Sequence, residues 1–258
     1  MKSGFLAAQG EYFIKFDDDD GLTPEFLEKT VQILDKFPEI DFVCTNHWVI
    51  NSKGEKELTA TEENAQKWGK NDLKLGVIPN LLEETFIKQS LQVGSTLFRL
   101  KSLQEVDYMR AEADGCEDFD LLVRLAIAGK IGYFIPELLM EYRFHGGQTS
   151  LKQNLHFLKA KTFCINSYQF LDPELEKSRI NKLAITEQAL GLRLIENNEI
   201  TSGRELLLKS VQILGNSNKV KLGIFLSYFS PKLRQTTLQI FRNIRGQDYS
   251  EKVRQNNQ

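Results

Sequence analysis

Residues 17–20 are four consecutive aspartates, in "EYFIKFDDDDG". Adjacent carboxylates repel one another, so the run is either dispersed in water as a solvated loop or gathered around a cation. A hard divalent cation wants such oxygens, and magnesium typically takes one or two carboxylates and completes its shell with substrate phosphates. A second acidic group, Glu117, Asp118 and Asp120, follows about a hundred residues later in "EDFDLLVRLAIAGK". Its carboxylates could move protons as general acid or base, or could simply favour the first turn of a helix. His145 could ligate a metal, with a structural role as the plainer alternative. His47 and Trp48 could line a ligand pocket or be buried in the core. A calcium loop of EF-hand type is excluded by register: with its glycine at Gly21 it would begin at Phe16 and end at Leu27, and neither supplies a carboxylate.

The elements that must position these groups read as α/β. Residues 11–16 form a short apolar strand that delivers the aspartates to its carboxyl end, where α/β sheets bind ligands. Thr23 is placed to cap, and Pro24 to begin, an amphipathic helix that buries Leu27, Val31 and Leu34. "IDFVCTNHWVIN" is a second strand closed by the turn residues "SKGE". Residues 55–93 are polar and mixed, with one helix expected around "NLLEETFIKQSL". "GSTLFRLKSLQEV" is a strand turning into a short helix, and the Glu117 segment is a helix ending near Gly129. Two short strand-like pieces separated by Pro136 follow, then a Gly-Gly turn. From about Leu151 every segment reads as helix. Residues 219–258 hold eight Lys or Arg against two acids, either a solvated face or a basic amphipathic surface for anionic headgroups.

Composition sets the outer limits. The chain has 258 residues, 41% hydrophobic and 26% charged, with a net charge of -2. That allows a sizeable core and gives no basic field for nucleic acid. Cys44, Cys116 and Cys164 lie far apart with no C-x-x-C pair, which argues against a disulfide framework or zinc cluster and fits a reducing cytoplasm. Neither a signal-type apolar segment nor a run of about 20 apolar residues is present.

Two stretches carry a resemblance to a known family. "AAQGEYFIKFDDDDGLTPEFLEK" resembles the segment A-x-G-E-Y-I-x-F-L-D-x-D-D of inverting family 2 glycosyltransferases of the GT-A fold, which is followed by P-x-x-L. "EDFDLLVRLAIAGKIGYFIPELLMEYRFHGGQTS" is similar to that family's E-D-x-D-L-x-x-R-L-A-x-x-G-K and I-P-E-x-L-x-x-Y-R-x-H segments. The resemblance implies a partial GT-A catalytic domain over residues 1–150 and a helical appendage over 151–258. It implies that Asp17 and Asp19 form the D-x-D pair, engaging the nucleotide ribose and a divalent metal, Mn2+ or Mg2+, with Asp19 the main ligand. Asp18, Glu117 and His145 then lie against the substrate, and Asp118 is the general base. Arg124 is expected to pair with an internal carboxylate.

The implied partners are a nucleotide-diphosphate sugar and a glycan or lipid-linked acceptor, as in polysaccharide biosynthesis of a cell envelope. The implied location is cytoplasmic, with peripheral contact to the inner face of a membrane through the basic helices. The family's domain opens with a strand of the type S-V-I-I-P-x-Y-N, a helix and a second strand that hold the nucleotide. None of these precedes Gly10, so the resemblance implies a domain lacking its N-terminal nucleotide-binding half and weaker donor binding by this chain. Two other readings stay open. "DDDGLT" resembles the D-x-D-G-T-L segment of haloacid dehalogenase-type phosphatases, though with the order of Leu22 and Thr23 reversed. A non-catalytic interaction module acting through the helical tail is the other.

Overall fold

The computed structural model describes residues 2–144 and 154–243 together with residue 253. Among these, 2–110, 117–144 and 253 form one compact unit and 111–116 with 154–243 another. The first is a mixed sheet with helices on its faces, and the second is helical.

In the first unit a short helix α1 (Lys2–Ala7) leads into β1 (Tyr12–Phe13), β2 (Gly21–Leu22), α2 (Glu25–Lys36) and β3 (Phe42–Ile50). Next come α3 (Leu58–Lys67), β4 (Gly76–Val77), a π-helical turn (Glu83–Lys88), β5 (Thr96–Arg99), α4 (Leu100–Glu105), α5 (Glu117–Ile127) and β6 (Gly132–Arg143). The strand order is β1-β5-β3-β6-β2, with β4 also on β6. β3 and β6 are parallel, and every other pairing is antiparallel. Because β1 and β3 both run antiparallel to β5, the chain leaving β1 heads to the same end of the sheet as the carboxyl ends of β3 and β6. That end receives the aspartates.

Alternation along the strands divides the core. Phe42 and Cys44 on β3, with Phe98 and Phe134, face a cluster that includes Leu121, Leu122 and Leu125 of α5. Val43, Leu97 and Ile135 face Phe26 and Leu34 of α2. The α2 stripe is Phe26, Thr30 and Leu34 rather than the expected Leu27, Val31 and Leu34. The helix starts at Glu25, which turns Leu27 outward. Thr23 makes no side-chain cap and instead joins the sheet, its backbone N–H donating to Leu139 O at 2.9 Å. Full burial of Phe26 contributes about 2–3 kcal/mol.

Three other expectations change. The strand expected over 11–16 is ladder-bonded only at Tyr12 and Phe13, at the edge of the sheet. The two pieces around Pro136 are one strand, β6, whose register against β3 shifts between Thr45 and His47. A bulge there tolerates a residue with no N–H to give the ladder. Within 55–93 the structure has a helix, α3, besides the one expected. Its sequence "LTATEENAQK" buries only Ala60, Thr61, Asn64 and Ala65, so no large apolar stripe marks it. The Gly-Gly turn lies outside the described residues.

The helical unit contains α6 (Asn154–Ser167), α7 (Pro173–Glu196), α8 (Ile200–Leu214), α9 (Asn218–Leu226) and α10 (Pro231–Asn243). Asp172 caps α7 by accepting from Leu175 N–H at 2.9 Å, with Pro173 in the first turn. α7 and α8 touch at glycines: a Cβ on Gly191 would stand 2.8 Å from Gly203 O, and one on Gly203 would stand 2.6 Å from Ile195 Cγ1. Only hydrogen fits at this crossing.

Candidate active site

The four aspartates form a tight turn, closed by Asp20 N–H donating to Asp17 O at 3.3 Å. Arg143, at the end of β6, holds it from outside the run. Its Nε donates to Asp19 O at 2.6 Å, one terminal nitrogen donates to Asn51 O at 3.1 Å, and its backbone N–H donates to Asp20 Oδ1 at 2.9 Å. A planar guanidinium spanning two loops fixes both more rigidly than a flexible ammonium would. The Asp19 carbonyl thus faces Arg143. Asp17 and Asp18 are exposed, whereas Asp19 and Asp20 are half-buried. Burial, reinforced by the Asp19 and Asp17 charges, pushes the Asp20 carboxyl up to about 7 against the opposing bond from Arg143.

Lys15 connects the turn to α5. Its ammonium lies 3.3 Å from Asp17 Oδ1 and 3.3 Å from Asp118 Oδ1. The Lys15 side chain is 13% exposed and that of Asp118 45%, so Asp118 keeps one oxygen inward on Lys15 while the side chain as a whole reaches solvent. Burial alone would lower the Lys15 pKa, but the two carboxylates outweigh it and raise it, leaving the lysine firmly cationic. Burial raises the Asp118 pKa, the Glu117 charge adds to that, and Lys15 opposes it. Asp118 is therefore a stronger base than a solvated aspartate.

Asp120, two residues on, has a different role. It is fully buried and ion-paired with both Arg110 and Arg124, the Arg124 Nε contact being 2.7 Å. Arg124 also donates to the carbonyls of Val106 and Tyr108, where Asp107 and Tyr108 take positive φ values of 54° and 45°. This is the internal pairing expected of Arg124. It anchors the helix that carries Asp118.

Asp17 and Asp118 lie on the wall of a cleft of about 280 Å³ at the carboxyl end of β3. Trp68, Phe119 and Tyr142 give it aromatic surface, and Asn64, Gln89 and Gln92 give it amides. At its buried side His47 Nδ1 is 2.9 Å from Lys70 Nζ. Burial, followed by the Lys70 charge, holds the His47 pKa well below its usual value, so the imidazole is neutral. Trp48 is not among the cleft residues; the Lys56 ammonium sits 5.1 Å from its ring centre. A shallow, open depression along α2, lined by Glu28, Val31, Gln32, Asp35 and Lys36, contains none of the residues singled out by sequence.

Of the residues singled out by sequence, Asp17, Asp18, Asp19, Glu117 and Asp118 converge on this end of the sheet, while His145 lies outside the described residues. Sequence reasoning missed Lys15, Lys70 and Arg143. Lys15 had a readable signal, a lone cation inside the apolar run that precedes the aspartates. Lys70 had none. No group of three or more His, Cys, Asp or Glu able to enclose a metal occurs among the described residues. The donor set fits a cation whose remaining ligands are diphosphate oxygens, because the turn concentrates carboxylates beyond what Lys15 neutralises.

A scan of known families matches residues 1–93 to glycosyl transferase family 2. The match covers the acidic turn, β3 and the Lys70 side of the cleft. No curated protein matches the chain.

Proposed function

From the match of residues 1–93 to glycosyl transferase family 2, we propose that the chain transfers a sugar from a nucleotide-diphosphate sugar to a hydroxyl of a glycan or lipid-linked acceptor, with inversion. In this reading Asp118 accepts the acceptor's hydroxyl proton as that oxygen bonds to the anomeric carbon. The bond from that carbon to the diphosphate breaks on the opposite face, and its electron pair leaves with the nucleotide. Asp19, with Asp17, would hold Mn2+ or Mg2+, which when bound neutralises charge on the departing diphosphate. Asp18 and Glu117 line the substrate side, and Lys15 keeps Asp118 ionised and oriented.

The observation that supports this reading is Lys15 itself, a single buried cation 3.3 Å from one carboxylate of the acidic turn and 3.3 Å from Asp118. It draws together two motifs a hundred residues apart at one cleft. The test is release of nucleoside diphosphate by the full chain with Mn2+ and a mixed-acceptor extract. Asp19→Ala is expected to abolish it, and Asp118→Asn to slow it about 10²–10⁴-fold without changing nucleotide binding. Phosphomonoester hydrolysis that survives Asp118→Asn would favour the phosphatase reading instead.

A peripheral membrane contact belongs to the same proposal. No described helix is long and apolar enough to cross a membrane. The helical unit exposes Phe225, Tyr228, Leu233 and Ile240 within the lysine- and arginine-rich stretch that begins at Lys219, a combination suited to an anionic headgroup layer.

A further inference from the structure

The cleft holds a cation that transfer chemistry does not require. Lys70 is 6% exposed, lines the cleft and has His47 Nδ1 as its hydrogen-bond partner at 2.9 Å. An ammonium has three N–H donors and no acceptor, so one donor is used, on a neutral ring. Buried lysines without a carboxylate are rare because the charged form loses its hydration. When Lys70 donates to Nδ1, the imidazole proton must sit on Nε2, which is buried and makes no hydrogen bond of ordinary geometry, although the Asn64 side chain interacts with the ring. Gln92 Oε1 is a further buried polar atom of the same cleft without one. Unsatisfied buried polar atoms are uncommon in folded proteins and tend to mark places completed by something else.

We propose that the Lys70–His47 end of the cleft binds an anionic group, carboxylate or phosphate, carried by the acceptor saccharide. The anion would accept from the Lys70 ammonium and from the His47 Nε2–H, and Gln92 Oε1 would take a neighbouring sugar hydroxyl. Trp68 and Tyr142 offer flat apolar surface to the sugar ring. The carboxylates Asp17 and Asp118 lie in the same cleft but are engaged by Lys15, so they do not serve as its counter-ion. The acceptor is thereby an acidic or phosphorylated glycan. This rests on reading the cleft as the acceptor site.

The charge state of Lys70 supplies a second signature. Burial lowers its pKa to about 7, with Cys44 opposing. The Cys44 thiol is pushed up to about 12 by burial and His47 is held neutral, so neither changes charge near neutrality. Anion binding then takes up a proton above pH 7, and affinity falls about tenfold per pH unit there.

The experiment is titration of the full chain with methyl glucuronide, glucose 6-phosphate and neutral methyl glucoside, followed by calorimetry and by the indole signal of Trp68. At pH 6.5 one or both anions are expected to bind about 10- to 100-fold more tightly than the glucoside. Preference for the glucuronide identifies a carboxylate sugar, and preference for the phosphate a phosphorylated one. Lys70→Met, close to lysine in shape, should remove the preference while leaving the glucoside unchanged. Equal binding of all three, a preference that survives Lys70→Met, or wild-type anion binding with no proton uptake at pH 8 would overturn the proposal. Nucleotide binding measured separately keeps the transfer reading apart: its failure alone leaves the anion site standing, and loss of the anion preference alone leaves the transferase standing.

Discussion

At the scale of single residues, Lys15 has the widest reach. It stabilises the ionised form of Asp118 and also balances Asp17, so its removal acts on both. In Lys15→Met the opposing cation is gone, and the Asp118 pKa, already raised by burial, rises further. A base must be ionised to act, so the acid limb of the pH–rate profile is expected to move to higher pH. The rate at pH 6 should fall more than the rate at pH 8. An unshifted acid limb would mean that Asp118 is not the base. Neighbouring residues of one type have taken unlike roles here: Asp118 reaches solvent, while Asp120 is sealed against two arginines. The sequence "EDFD" does not distinguish them, because the difference comes from Arg110 and Arg124, which only the folded chain brings to Asp120.

At the scale of elements, α5 is held by that buried ion pair as much as by its apolar face. Burial alone would raise the Asp120 pKa, but hydrogen bonding to Arg110 and the Arg124 charge overcome this and lower it. A depressed carboxylate pKa stabilises the fold above its unfolded value near 4 and loses that contribution as pH falls through the folded value. Asp120→Asn is therefore expected to cost about 3–5 kcal/mol at pH 7, since it strands two guanidinium groups. In urea titrations the gap from wild type should narrow below about pH 4. The elements that carry motifs were legible because their apolar residues are large and periodic: β3, β5 with α4, and α5. α3 was not, since its buried face consists of Ala60, Thr61, Asn64 and Ala65. α2 was legible as a helix but one residue out of phase, because Pro24 begins the turn without a side-chain cap from Thr23. The acidic run reads as a site from its position after a strand and from the family resemblance, whereas its shape depends on Arg143, 123 residues beyond Asp20.

At the scale of the whole molecule, the two units depend on different kinds of fit. The helical unit relies on the Gly191–Gly203 crossing. Gly203→Ala would set a Cβ 2.6 Å from Ile195 Cγ1 and 2.8 Å from Gly191 O, so α7 and α8 must separate. The expected loss is about 1–3 kcal/mol, seen as faster amide exchange in α7 and α8 with β3 unchanged. In the sheet unit the proposed chemistry gathers where β3 and β6 end. At the opposite end, where these strands begin, Asp41 accepts from Ile131 N–H at 2.7 Å and from Ser102 Oγ at 2.6 Å, and Lys130 pairs with Glu105. These contacts tie strands together and touch no cleft residue. The sheet therefore has a natural handle: an affinity tag, dye or surface linker attached near Glu105 or Lys130 would hold the sheet unit by the end opposite its cleft.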